Sequence, residues 1–273
     1  MTEHTTPFSL DEIGYSPVRF NNTGIFETHK DHMVDPYAQS RPNKIPQVEG
    51  IQFAPQGTKD ILPAMVVLHD RYGLTSSIQD LAKQFACEGY VVLLPNLYGR
   101  QGGMVTANAE VAEALEERLD EKQVLQEINA CFEYLNANLT EDKTLERTTR
   151  NAHAVIGFGM GGTLAIKTAA HRRRLQAAVS VCGSLPSTPE TVSTLYCPLF
   201  IQSIETNSPH TAEELSAFCE QAKEAGKTIK TSLSSQATRE FFNKSSEDYD
   251  EAETERVIQS SMEFINDILV KKP

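Results

Sequence analysis

Val155-Ile156-Gly157-Phe158-Gly159-Met160-Gly161-Gly162-Thr163 is the stretch on which the fold turns. The apolar run at residues 152–156 reads as a strand, and the small and apolar residues 161–170 read as a helix, with a glycine-rich bend between them. The same alternation extends outward on both sides. Residues 64–69, Ala-Met-Val-Val-Leu-His, have the profile of a strand covered on both faces. Residues 76–88 then set Ile78, Leu81, Ala82, Phe85 and Ala86 at helical spacing, Gly89 stops the helix, and residues 90–94 supply another strand. A long helical stretch over 105–138, interrupted at most once, carries Val124, Leu125, Ile128, Phe132 and Leu135 as an apolar stripe. Strands at 177–182 and 198–202, a helix at 212–225, a weaker strand at 228–233 and an amphipathic helix at 251–270 complete the pattern. Strand and helix in such alternation predict an α/β fold, a mostly parallel sheet with helices on both faces.

The remaining stretch is different in character. Residues 1–47 are polar, hold Pro7, Pro17, Pro36, Pro42 and Pro46, and show no sustained period, so they are expected to form an extended or partly ordered arm before a domain at 48–273. Forty per cent of the 273 residues are hydrophobic, enough for a substantial core. Twenty-five Lys and Arg against 37 Asp and Glu give a net charge of −12, which opposes attraction to phosphate backbones and anionic lipid, so no nucleic-acid or membrane partner is expected. With no basic and apolar leader and no long apolar run, a cytoplasmic location is the expectation. The five cysteines lack paired spacing, and neither a disulfide framework nor a zinc site is predicted. The run Glu27-Thr28-His29-Lys30-Asp31-His32 offers three potential metal ligands but falls in the irregular arm, so no metal is expected.

Two chemistries use a glycine-rich turn between strand and helix. Gly157, Gly159 and Gly162 satisfy the dinucleotide pattern, in which backbone amides approach a pyrophosphate. That reading wants a carboxylate about 20 residues on, at the end of the next strand. The strand here ends Val181-Cys182-Gly183-Ser184, with no acid, so no cofactor is expected. The other chemistry is a nucleophile elbow, whose flanking glycines fit at Gly157 and Gly161 while the projecting position is occupied by Gly159. Glycine has no atom that can attack a carbonyl carbon.

Three further segments belong with the turn: Val67-Leu68-His69-Asp70-Arg71-Tyr72-Gly73-Leu74, then Glu88 to Arg100 with its Leu94-Pro95-Asn96-Leu97-Tyr98-Gly99-Arg100, and Phe241-Phe242-Asn243. In this order and spacing the sequence resembles the dienelactone hydrolase family over residues 48–270. The resemblance implies an α/β-hydrolase fold with a sheet of about eight strands, hydrolysis of lactones or small esters, and a triad of Cys or Ser, Asp and His. At the matching positions this chain has Gly159 for the nucleophile, Arg239 for the His, and Glu205 as the carboxylate nearest the acid position. Arg stays protonated near neutral pH and is no general base.

The resemblance also implies two oxyanion-binding amides, those of Arg71 and Met160, which survive side-chain change. With Tyr72, Arg100 and Arg239 nearby, the pocket is expected to take a small anionic or ester-like ligand, in a catalytically impaired monomer or homodimer that binds or regulates. An ion pair between Arg239 and Glu205 is the plainer expectation for those two side chains. The alternative is an active hydrolase of lactones or small esters, resembling a carboxymethylenebutenolidase, with a displaced nucleophile drawn from His69, Cys182 or Ser184. His69 with Asp70 reads more simply as a structural hydrogen-bonded pair, and Cys182 as core.

Overall fold

In a computed structural model of the chain, which describes residues 6–22, 47–58, 60–137, 148–186, 189–235 and 237–270, the buried run that opens the sheet is strand β3, Leu62–Leu68. Ala64 to Leu68 are wholly buried: Ala64, Val66 and Leu68 pack into one core, Met65 and Val67 into another on the opposite face. A strand covered on both sides has no polar alternation to show, which is why it reads as an unbroken apolar run.

Around it lie β1 (Ile13–Asn21), β2 (Gln47–Pro55), β4 (Val91–Pro95), β5 (Thr148–Phe158), β6 (Ala177–Val181), β7 (Leu199–Ile204) and β8 (Ile229–Ser234). The sheet has eight strands in the order β1-β2-β4-β3-β5-β6-β7-β8. Strand β2 runs antiparallel to both its neighbours and all the other pairings are parallel. The helices are α1 (Ser76–Cys87), α2 (Ala109–Glu117), α3 (Glu121–Ala137), α4 (Met160–His171), α5 (Pro189–Ser193), α6 (Ala212–Glu224) and α7 (Glu251–Leu269). Residues of α1 and α7 fill the core on one face, and those of α2 to α6 fill the other.

The helix ends follow local chemistry. Thr75 accepts from the Ile78 amide at the start of α1, Asp250 does the same for Glu253 at the start of α7, and Thr211 with Glu214 closes a reciprocal capping box on α6. Gly89 ends α1 in the left-handed region, φ 86°.

The fold starts earlier than residue 48. Residues 13–21, which the sequence places in the arm, form the edge strand β1, paired with β2 along its whole length. Its burial alternates from Ile13 outward, and Arg19 sits opposite Glu49 in register and pairs with it. An edge strand with one wetted face needs few apolar residues and tolerates Pro17, so its polar composition masks it. The acidic and histidine run at 27–32 lies outside the described residues. None of the described helices is long and apolar enough to cross a membrane.

Candidate functional site

Strand β5 enters α4 through Gly159 at φ 53° and ψ −117°, a conformation that side-chain-bearing residues rarely adopt. The Gly159 amide is tied to the Val181 carbonyl at 2.8 Å, while the Gly159 carbonyl accepts from the amides of Gly162 and Thr163. The glycines of this bend serve different purposes. A Cβ on Gly157 would lie 1.9 Å from the Gly161 carbonyl oxygen, and one on Gly161 would lie 2.3 Å from that of Leu68, so both positions are closed by backbone. A Cβ on Gly159 would meet a single heavy atom among the described residues, the Asp70 Cβ, at an ordinary contact of 3.5 Å. The apex therefore has the bend and the room of a residue that carries a side chain, and holds none.

Two amides beside this space are unspent. Met160 is the first residue of α4, so its N–H has no partner within the helix. Neither it nor the Arg71 N–H donates to any acceptor among the described residues. They belong to the residues that follow Gly159 and Asp70, respectively.

The loop after β3 is fixed by His69, fully buried. Its Nε2 accepts from the Leu97 amide at 3.0 Å, which leaves the proton on Nδ1 to donate to the Asp70 carbonyl at 2.6 Å. Burial pushes its pKa down to about 4, so the ring is neutral and spans the ends of β3 and β4. The expected structural pair thus exists, made with the backbone of Asp70 rather than its carboxylate. That carboxylate is itself 4% exposed and accepts the Tyr72 amide on Oδ1 at 2.9 Å. Burial raises its pKa to about 7 against the lowering effect of the Tyr72 amide; Glu240 and Glu116 add to the rise and Arg71 opposes it.

A rim of charged and phenolic groups surrounds the loop. The Tyr72 hydroxyl donates to Glu240 Oε1 at 2.5 Å, and Arg71 Nη2 lies 3.2 Å from that hydroxyl and 3.5 Å from the same carboxylate. Tyr98 donates to the Arg71 carbonyl at 2.9 Å. Arg71, Tyr72 and Met160 therefore lie together at the bend. Glu240 and Glu116 were missed; the only available signal for Glu240 is its place next to Arg239.

Other expectations are corrected. Arg100 is engaged with the buried Glu127 of α3 in an ion pair, because a carboxylate taken out of water draws the nearest guanidinium. Among the described residues no ion pair joins Arg239 to Glu205: both side chains are exposed, where a single contact is worth little, and it is Glu240 that pairs, with Arg71.

Cys182 follows β6 at φ 52°, almost wholly buried, its amide on the Gln202 carbonyl and its pKa pushed up to about 12 by burial. It is a protonated core thiol. Ser184 is exposed, its amide held by the Thr163 hydroxyl. With His69 committed on both ring nitrogens, none of the three displaced candidates has a nucleophile and a base together. A buried contact of 2.7 Å, which the sequence gave no reason to suspect, joins Ser203 on β7 to His210 in the loop that follows.

Comparison with known proteins agrees with this geometry. Residues 48–269 match the sequence model of the dienelactone hydrolase family. A protein of Yersinia pestis assigned as a carboxymethylenebutenolidase is 30% identical over 125 residues, which cover 45% of this chain and 44% of the relative, so the chain spans less than half the length of that relative. Among solved structures, one assigned as a dienelactone hydrolase of Klebsiella pneumoniae superposes with a TM-score of 0.74 at 17% identity, covering 92% of this chain and 98% of the other. A dienelactone hydrolase-like promiscuous phosphotriesterase from metagenomic libraries gives a TM-score of 0.71 at 14% identity, covering 94% and 99%. At such identities the structures speak for the fold, an α/β-hydrolase sheet.

Proposed function

Because the chain belongs to the dienelactone hydrolase family, we propose that its elbow binds the carbonyl or carboxylate of a small ester-like or anionic ligand while forming no acyl-enzyme at Gly159. One observation carries this reading: the bend, its room and its two unspent amides are intact around a residue without a reactive atom. A negatively polarised oxygen placed between the amides of Met160 and Arg71 takes two hydrogen bonds and the positive end of α4. Tyr72, held by Glu240, and the Arg71 side chain, paired with the same carboxylate, stand on the loop that carries the second amide. Arg239, exposed and without a hydrogen bond among the described residues, is the cation available to a carboxylate arriving from solvent.

Relative to its family the chain is then a pseudoenzyme for the covalent route. The net charge of −12 fits a partner that is neither nucleic acid nor membrane, and five free thiols fit a reducing, cytoplasmic setting. Calorimetry with butyrate and with γ-butyrolactone tests the site. Saturable binding is expected, and it should be lost in Met160→Pro, which deletes one amide at a first-turn position where helices accept proline. Absence of saturable binding by either probe, or unchanged binding in a folded Met160→Pro, would refute the assignment.

A further inference from the structure

The sheet has two edges, and they are not alike. Strand β1 carries Pro17 at its centre, which has no N–H to give a further strand. Strand β8 has no proline, and its pairing with β7 advances residue by residue from Ile229 to Ser234 without a bulge. Successive residues of a strand turn their N–H and C=O to opposite sides. The carbonyls of Thr228 and Ser234 accept from the amides of Leu199 and Glu205, at the two ends of β7. Residues 228, 230, 232 and 234 therefore spend their backbone on β7, and Ile229, Thr231 and Leu233 turn theirs outward. Among the described residues nothing bonds those outward groups.

The side chains leave this edge open. Lys230, the residue type that commonly guards an edge, instead lies over the Phe200 ring, 4.7 Å from its centroid, and Ser232 on the same face meets Arg256 of α7. Ile229 packs into the opposite core, on the α6 side, and the two-residue period puts Thr231 and Leu233 on that face with it. Thr231 is exposed, and Leu233 is 56% exposed although it is a large apolar residue in a strand.

We propose that this edge takes a second copy of the chain, β8 running antiparallel to β8 across a two-fold axis at Thr231. Only this register sets the three outward residues against one another: Thr231 faces Thr231 of the second copy, and Ile229 faces Leu233 on either side, each pair exchanging both of its N–H to O bonds. The exposed Leu233 side chain is thereby covered by Ile229, and Lys230 stands opposite Ser232. An axis moved to residue 230 would set Lys230 against itself, a like-charge pair. A strand pair of this length lies at the small end of specific interfaces, below about 1,200 Å², so the dimer dissociates on dilution.

Sedimentation equilibrium of the full chain over a range of concentrations tests this, with a reversible monomer–dimer equilibrium expected. Thr231→Lys and Thr231→Glu each bring like charges face to face at the axis and should each be monomeric, while an equimolar mixture of the two should recover the dimer. Both changes fall on an exposed residue, and circular dichroism confirms that each variant is folded. Amide exchange followed by NMR on the wild type needs no substitution: the amides of Ile229, Thr231 and Leu233 should exchange more slowly as concentration rises, and those of Lys230 and Ser232, already spent on β7, should not change. A wild type that stays monomeric throughout, a dimer untouched by both substitutions, no recovery in the mixture of folded variants, or exchange at the three outward amides that ignores concentration would overturn the proposal.

Discussion

Replacing the glycines of the bend one at a time with alanine separates contact from strain. At Gly159 the added methyl meets one atom at 3.5 Å, so its cost is conformational, about 1–3 kcal/mol for a side chain held at φ 53° and ψ −117°. For a chain of this size that corresponds to a fall in Tm of about 2–12 °C. Gly157 has no positive φ to protect, and its cost is entirely steric: the methyl would stand 1.9 Å from the Gly161 oxygen and 2.2 Å from its carbonyl carbon, both backbone atoms of the first turn of α4. Relief requires moving α4 off the sheet, which places Gly157→Ala among the severe substitutions, above about 4 kcal/mol and a large part of total stability. Urea unfolding followed by circular dichroism reads both, as midpoints at constant slope. Gly102, left-handed with nothing within 4 Å of a Cβ, serves as the strain-only control. Equal midpoints for Gly157→Ala and Gly159→Ala, or a costlier Gly159→Ala, would refute the distinction between closed and open positions.

Four further outcomes follow from the site. Asp70 binds its proton more tightly folded than unfolded, so ionising it costs the fold progressively as pH rises from about 4 to about 7; Asp70→Asn should be more stable than the wild type above pH 7, by on the order of 4 kcal/mol, and gain nothing at pH 4, checked by thermal melts across that range. His69 has the opposite sign, its folded pKa lying below the unfolded value, so stability from this residue falls as pH drops from about 6.5 to about 4; His69→Leu should remove that slope while losing about 2–4 kcal/mol through the orphaned Leu97 amide and Asp70 carbonyl. Arg100→Met should leave butyrate affinity unchanged by calorimetry and destabilise the chain by about 1–3 kcal/mol at pH 8, less at pH 5, where the stranded Glu127 can take a proton. Gly159→Cys combined with Arg239→His should bring a burst of nitrophenol that single-turnover kinetics can count; its absence in a folded double variant would place the family's reacting atoms elsewhere.

The central strands and their helices are legible in the sequence because β3, β5, β6 and β7 are buried on both faces and leave long apolar runs, and because Gly89 and the capping residues mark helix ends within a residue or two. Strand β1 is not, since a wetted edge with Pro17 at its centre carries neither an apolar run nor an uninterrupted β composition. At the site, the bend and its amides can be read off Gly157 to Gly162 because backbone geometry there is dictated by contacts that only glycine permits. Side-chain partners cannot. Whether Arg239 meets Glu205, or Arg71 meets Glu240, depends on loop paths after β7 and β8, and neighbouring residues in sequence point to different surroundings. Arg100 shows the same limit: its partner Glu127 lies on a helix of otherwise unremarkable composition, and only burial of that carboxylate explains the pairing.

The elbow is fastened by joints that have nothing to do with reactivity. Gly157 abuts Gly161, Gly161 abuts the end of β3, and Gly162 lies against Gly183 at the end of β6, so the same close approaches that shape the bend also bolt α4 onto three strands. Assembly alone is reason for these joints, whatever residue stands at the apex. The apex is thus a socket framed independently of whatever side chain it holds, and a different residue can be seated there without rebuilding the frame.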